Sequence, residues 1–357
     1  MPIDFTQFHA CTTTACSTEM VAAFHLNQPI WDAGIVFDEP VLPTGGPANL
    51  WRKPTAIVMV SNRHTGDVYV QGQDYDLSDG VLRILPNSRI PMALKFPNVP
   101  NPGAPAIWQP FTKSGAPLRI ASDYQQHQIA VTYTAGALGG LVPLIGSVPI
   151  SARKISERSA LAATIYGDSI SKGDNATATI NEAPHQPGWA DLMGAMLSNE
   201  GDGEYYWRNV SVGGWDSWTG LVNVQEKVNT VASDLVIIGF GMNDASGGVT
   251  SKKFEENLRA MIAAIRKKSP ETEFILVSSF LGNEDWKPSN NGLLRDYRVS
   301  MIRIVANTDG VALADMTALS ESVLKSKSYY DITSNGVNHP GDFLHVGYAQ
   351  VVSRAIR

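Results

Sequence analysis

The sequence predicts a chain in two parts. Residues 1–155 read as a β-rich accessory region of sandwich or jelly-roll type, and residues 156–357 as a three-layer α/β/α region on a parallel sheet. Three observations carry this reading. Short β-branched and aromatic runs recur before residue 155, with no helical stripe of convincing length. Beyond residue 160, apolar strand runs alternate with amphipathic helix patterns, which builds a parallel sheet with helices on both faces. The composition is that of a protein with a substantial core: of 357 residues, 43% are hydrophobic and 17% charged.

In the first part, residues 55–61 form an apolar run that ends at the turn-forming segment Asn62–Gly66, and residues 67–71 follow as its hairpin partner. Residues 81–85 alternate between turn residues, and residues 128–134 are another β-branched and aromatic run. The segment Gly139–Pro149 reads as a stiff connector. In the second part, residues 161–166 make a short buried strand. A helical pattern then follows only from about Pro187, where Trp189, Leu192, Met193, Met196 and Leu197 share one face. Strands are predicted over 205–212, 234–241, 273–280 and 311–316. Helices are predicted around Leu221–Val228, over Phe254–Ile265, over Leu293–Ala306 and over Phe343–Ile356. The helix through Ile265 stops at Ser269-Pro270, as a helix does before proline.

Several classes of function are excluded by composition. A net charge of -6 without a dense Lys/Arg block speaks against nucleic acid as a partner. No apolar run reaches the length of a membrane span. Residues 1–10 carry neither a basic segment nor an apolar core, so no signal peptide is visible. The compartment stays open between the cytoplasm and secretion with a leader removed, and so does the oligomeric state. The two cysteines, Cys11 and Cys16, make neither a disulfide framework nor a metal site.

Four stretches carry chemistry. Gly167-Asp168-Ser169 follows the strand that ends at Tyr166, and glycine there permits a sharp turn that leaves a serine hydroxyl exposed. Residues 209–214 end at Gly213-Gly214 after the next strand, and Gly241-Met242-Asn243-Asp244 follows the strand after that. In an open α/β sheet all three gather at the carboxyl edge. The fourth stretch runs from Asn338-His339-Pro340 through Asp342 to His345, ahead of the closing helix. Asp342 reads as that helix's N-cap. His339, Asp342 and His345 also have the residue types of metal ligands, but helix entry accounts for the last two more simply, and no metal or other cofactor is expected.

Together these stretches resemble the SGNH (GDSL-type) hydrolase family over roughly residues 160–357, with the first 155 residues outside the match. The resemblance implies Ser169 as nucleophile and His339 as base. It also implies an oxyanion hole made by Ser169 N–H, Gly214 N–H and the Asn243 side chain, each donor contributing about 3 kcal/mol to the transition state. One departure stands out. The family carries an aspartate three residues before the histidine, whereas this chain has Gly336 there, with Asn335 beside it. Three arrangements stay open: a dyad whose ring is held by a backbone carbonyl, a triad using Asp331, or an acid from elsewhere. Trp215 and Trp218 follow the oxyanion glycine and suit the apolar faces of sugar rings, with Trp189 and Trp286 near the same edge.

The expected function is therefore a serine esterase that acts through an acyl-enzyme on short acyl esters, deacetylating a carbohydrate. A β-rich domain precedes the catalytic one in some carbohydrate esterases of this family, which points the same way. Two alternatives are a short-chain esterase without sugar preference and a glycan-binding protein with an impaired esterase domain. The Gly-Asp-Ser-Ile-Ser string lacks the last glycine of the Gly-x-Ser-x-Gly elbow, so an α/β-hydrolase is not expected.

Overall fold

The structure is a computed structural model that describes residues 3–9, 14–93, 112–201 and 205–357. Cys11 lies outside the described residues, as does the Cys16 side chain. Before residue 155 the strands are β1 (Ile35–Val41), β2 (Ala48–Asn49), β3 (Pro54–Ser61), β4 (Val68–Tyr69), β5 (Tyr75–Ser78), β6 (Val81–Ile84), β7 (Ile129–Ala135) and β8 (Ile145–Gly146). The helices there are α1 (Thr14–Ala23), α2 (Tyr124–His127) and α3 (Pro149–Ser156). Two antiparallel sheets result, ordered β1-β7-β3-β4 and β2-β6-β5. The predicted hairpin is present, with Val60 opposite Tyr69 and Ser61 opposite Val68.

The second part follows the predicted alternation. Its strands are β9 (Leu161–Gly167), β10 (Tyr205–Asn209), β11 (Leu235–Gly239), β12 (Glu273–Val277) and β13 (Val311–Ala314). Its helices are α4 (Ser169–Lys172), α5 (Trp189–Gly201), α6 (Ser217–Lys227), α7 (Met242–Ser246), α8 (Ser251–Arg266), α9 (Asn291–Ala306), α10 (Met316–Leu324), α11 (Tyr329–Ile332) and α12 (Asp342–Ile356). The sheet order is β10-β9-β11-β12-β13-β8. The first five strands run parallel, and β8 closes the edge antiparallel to β13. Thus a short strand from before residue 155 completes the larger sheet. On the opposite edge, His9 bridges Trp207 of β10.

All of β9 and β12 is buried, and β11 nearly so, as their largely apolar sequences require of strands covered on both faces. Helices α5 and α12 pack on each other, while α6, α8 and α9 pack together as a second layer. Helix α8 turns Phe254, Leu258, Met261, Ile262 and Ile265 inward, each worth about 2 kcal/mol of burial. Register matters most for function. Gly239 lies opposite Gly167 and Asn209 opposite Ile165, so β9, β10 and β11 end at nearly the same level. Strand order reverses at β9, so the crevice for chemistry opens beside the segment that carries Ser169. Among the described residues, no helix is long and apolar enough to cross a membrane.

Candidate active site

Ser169 opens α4, a single helical turn that directly continues β9 where no helix was expected before Pro187. Asp168 caps that turn, accepting from Ile170 N–H at 2.9 Å. The bend is possible only with glycine before it: a Cβ on Gly167 would stand 2.3 Å from Gly239 O and 2.4 Å from Ser171 Oγ. His339 Nε2 reaches Ser169 Oγ at 2.8 Å, and its Nδ1 meets Asn175 Oδ1 at 2.5 Å. Burial pushes the imidazole down to about 4, opposed by nearby Asp174, so the ring is neutral at ordinary pH.

The loop that carries His339 is built around Asn335. Its Oδ1 accepts from the backbone N–H groups of Val337, Asn338 and His339, each at 3.0 Å. The His339 carbonyl in turn accepts from Thr333 Oγ1 at 3.0 Å. Gly336 has φ +85°, and a Cβ there would fall 2.5 Å from Arg119 O and 2.6 Å from Tyr124 Oη. The position three residues before the histidine is therefore closed to any side chain, aspartate included.

Asp331 does not orient the histidine. Its carboxylate accepts from Leu42 N–H at 2.8 Å and Ser328 N–H at 3.0 Å, forming a capping box at α11. Nor is Asp342 an N-cap: Gly341 holds that position. The Asp342 carboxylate instead accepts from Thr177 Oγ1 at 2.6 Å and Thr177 N–H at 3.1 Å. His345 is wholly buried, and Nδ1 accepts from Trp189 N–H at 3.3 Å. Among the described residues, no group of three or more His, Cys, Asp or Glu side chains is placed to hold a metal ion.

The loops after β9, β10 and β11 are stitched to one another. Asn209 Nδ2 donates to Ser171 O at 2.7 Å, and Asn243 Nδ2 donates to Trp215 O at 2.9 Å. Asp244, fully buried, accepts from Ser217 N–H at 3.0 Å and from Ser217 Oγ, which holds the start of α6. Gly214 has φ +80°, a conformation that turns the chain back ahead of α6. Neither Ser169 N–H nor Gly214 N–H donates to another group among the described residues. Both remain available to a ligand.

Trp189 is fully buried and donates from Nε1 to Ile170 O at 3.1 Å, so it braces the nucleophile turn from below. Trp286 lies at a backbone bridge to Thr112. Trp215 packs edge-on against Tyr166, while Trp218 is 51% exposed with Lys253 Nζ 5.1 Å from its ring centre. A cavity of about 760 Å³ beside Leu141, Asn283, Arg295 and Tyr330 includes neither Ser169 nor His339. Asn175 is the contact that motif reading missed; Asn175 Oδ1 takes the place expected for a backbone carbonyl or an acid.

A serine and a neutral histidine in contact, with free N–H groups at the carboxyl edge of a parallel sheet, define a hydrolase-type site on an α/β fold. The model of the GDSL-like lipase/acylhydrolase family matches residues 165–345, more than half of the chain. The chain belongs to that family. No curated protein matches it. Among solved structures it is similar to a two-domain esterase active on acetylated mannans, co-crystallised with mannopentaose. That match has 17% identity over 60% of this chain and 54% of the other, with a TM-score of 0.47. An acetyl xylan esterase shows 20% identity over 55% of this chain and all of its own, at a TM-score of 0.45. A mutant acetyl-xylooligosaccharide esterase from Geobacillus Stearmophilus shows 19% identity over 55% of this chain and 92% of that one, at 0.42. The chain spans about half the length of the mannan esterase.

Proposed function

We propose that this chain is a serine esterase that cleaves short acyl esters through an acyl-enzyme on Ser169. The observation that carries the reading is the 2.8 Å contact of His339 Nε2 with Ser169 Oγ beside unpaired backbone donors. In the first half-reaction Oγ attacks the ester carbonyl as its proton passes to Nε2. Ser169 N–H, Gly214 N–H and the Asn243 amide stabilise the charge that develops on the carbonyl oxygen. The imidazolium then protonates the departing alkoxide. In the second half-reaction water attacks the acyl carbonyl as its proton passes to His339. The imidazolium returns that proton to Ser169 Oγ as the C–Oγ bond breaks and the carboxylic acid leaves.

The finer reading is deacetylation of a carbohydrate. It is supported by Trp218, half-exposed just past the oxyanion loop, with Val222 exposed one turn further along the same helix. Such a surface offers an apolar face to a sugar ring. The rival reading is a short-chain esterase without sugar preference. A glycan-binding protein with a dead site is disfavoured by the intact serine–histidine contact.

The first test is hydrolysis of p-nitrophenyl acetate beside longer acyl chains, with wild type and Ser169→Ala. Wild-type turnover of acetate with a loss of about a thousandfold or more in the variant is the expected result. Equal rates in the two proteins would remove Ser169 from the chemistry. For the sugar reading, Trp218→Ala should raise KM for acetylated oligosaccharides about tenfold and leave aryl acetates unchanged. Equal effects on both substrates would leave the short-chain esterase reading.

A further inference from the structure

We propose that Asn175 is the positioning residue for His339, a neutral amide that stands where the family pattern places a carboxylate. This rests on the reading of Ser169 and His339 as the ester-cleaving pair. The geometry is direct, with Asn175 Oδ1 at 2.5 Å from Nδ1 on the ring whose Nε2 faces Ser169. An amide oxygen only accepts, so Nδ1 must carry the proton and Nε2 presents its lone pair to the serine hydroxyl. With the amide turned over, its NH2 would force the proton to Nε2, and the base would be lost.

Local structure holds the amide in place. Helix α4 lasts one turn, Gly173 ends it at φ +88°, and Asn175 follows at φ +67°. Asparagine tolerates that left-handed backbone better than most residues. The turn brings the residue six positions after the nucleophile alongside the histidine. The Asn175 carbonyl is fixed from the other side by Gln125 Nε2 at 3.0 Å.

Nearby carboxylates are engaged elsewhere. Asp174 pairs with Lys172 Nζ at 2.8 Å, and Asp342 accepts from Thr177. Asp331 serves Leu42 and Ser328, and position 336 admits no side chain. The charged and titratable groups that interact with the ring are thus Asp174, itself paired with Lys172 on the nucleophile loop, and His345 on α12. His345 is buried and pushed down to about 3 by desolvation, then by His339, so it stays neutral beside the site. The imidazolium formed in turnover therefore meets a dipole where most serine hydrolases supply a full negative charge.

The test uses Asn175→Gly, which removes the amide without straining the positive φ, and Asn175→Asp, which restores a carboxylate. With p-nitrophenyl acetate, Asn175→Gly should lose about 100-fold in kcat with KM little changed. Asn175→Asp should recover most of that loss. Its acid limb in kcat/KM should move up by about one pH unit or more, since a carboxylate favours the charged ring. Histidine nitrogen NMR at neutral pH, on 15N-histidine protein, reads the same point without turnover. Wild-type His339 should be a single Nδ1–H tautomer, and Asn175→Gly should show a mixture or Nε2–H. An Asn175→Gly protein with an unmixed Nδ1–H ring, or with the wild-type rate and pH profile, overturns the proposal. Undiminished turnover by Ser169→Ala would instead overturn the esterase reading, and the tautomer would still decide the role of Asn175.

Discussion

At position 336 a side chain has nowhere to go. Its Cβ would lie within 2.6 Å of both Arg119 O and Tyr124 Oη, on a backbone with positive φ. Gly336→Asp, which restores the family's residue, should therefore destabilise the fold by about 3 kcal/mol or more, from strain and overpacking together. A urea midpoint unchanged from wild type would show that the loop relaxes. His339 carries a second expectation. Burial, opposed by Asp174, pushes it down to about 4, and it acts as base only when neutral. So kcat/KM should stay flat from about pH 8 to about pH 5 and fall only near the histidine's own lowered value. A limb at the ordinary histidine value would mean a solvated ring. Ser169 and His339 were legible because each sits in a local motif with its own turn chemistry. Asn175 was not, because an asparagine after Gly173-Asp174 looks like any turn residue until the fold brings the His339 loop against it. The closure of position 336 was equally hidden, since Arg119 and Tyr124 lie more than two hundred residues away in sequence.

At the scale of elements, the loops that bear the site are tied together by a helix of one turn. Gln125 on α2 donates to Asn175 O at 3.0 Å and accepts from Asp342 N–H at 2.7 Å. Gln128, just beyond α2, donates to Tyr330 O at 2.9 Å and Thr333 O at 3.1 Å, and Thr333 holds the His339 carbonyl. The first part of the chain thus braces the loops of the second. Gln125→Ala should lower kcat about tenfold while KM stays near wild type, and cost about 1 kcal/mol in stability for each hydrogen bond lost. An unaltered kcat with the same loss of stability would reduce Gln125 to a purely structural tie. Patterning made the central strands and long helices readable, because burial on both faces or on one stripe leaves a period in the sequence. Other elements left none. Strand β1 includes Asp38, Glu39 and Pro40, which argue locally against a strand, and Asp38 sits at φ +52°. Helix α1 shows no one-sided apolar stripe, and α10 follows β13 after only Asp315, starting at Met316, the last residue of the predicted strand.

On the scale of the molecule, buried polar groups join the two parts of the chain. Lys327 Nζ lies 3.0 Å from Glu39 Oε1, with both side chains fully buried. Glu39 also accepts from Trp51 N–H at 2.8 Å and from Tyr133 Oη at 2.5 Å. Gln350 on α12 accepts from Ile30 N–H at 3.0 Å and donates to Leu26 O at 3.1 Å and Gln28 O at 2.8 Å. The apolar core runs without interruption from Val21 through the sheets to Ile356. These links have a thermodynamic consequence. Lys327→Met leaves Glu39 as a buried charge without its cation, which costs about 3–5 kcal/mol where such pairs are broken from one side. Replacing both partners, with Glu39→Gln beside Lys327→Met, removes the stranded charge and should recover part of that loss. Because the core is shared, the single variant should unfold in one transition, with near-UV and far-UV signals moving together at a lower urea midpoint. Two separated transitions, the later one at the wild-type midpoint, would mean that the parallel-sheet part stands without the strands in front of it. In that case Gln125 and Gln128 would brace the site only while the first part stays folded, and esterase activity would be lost in the earlier transition.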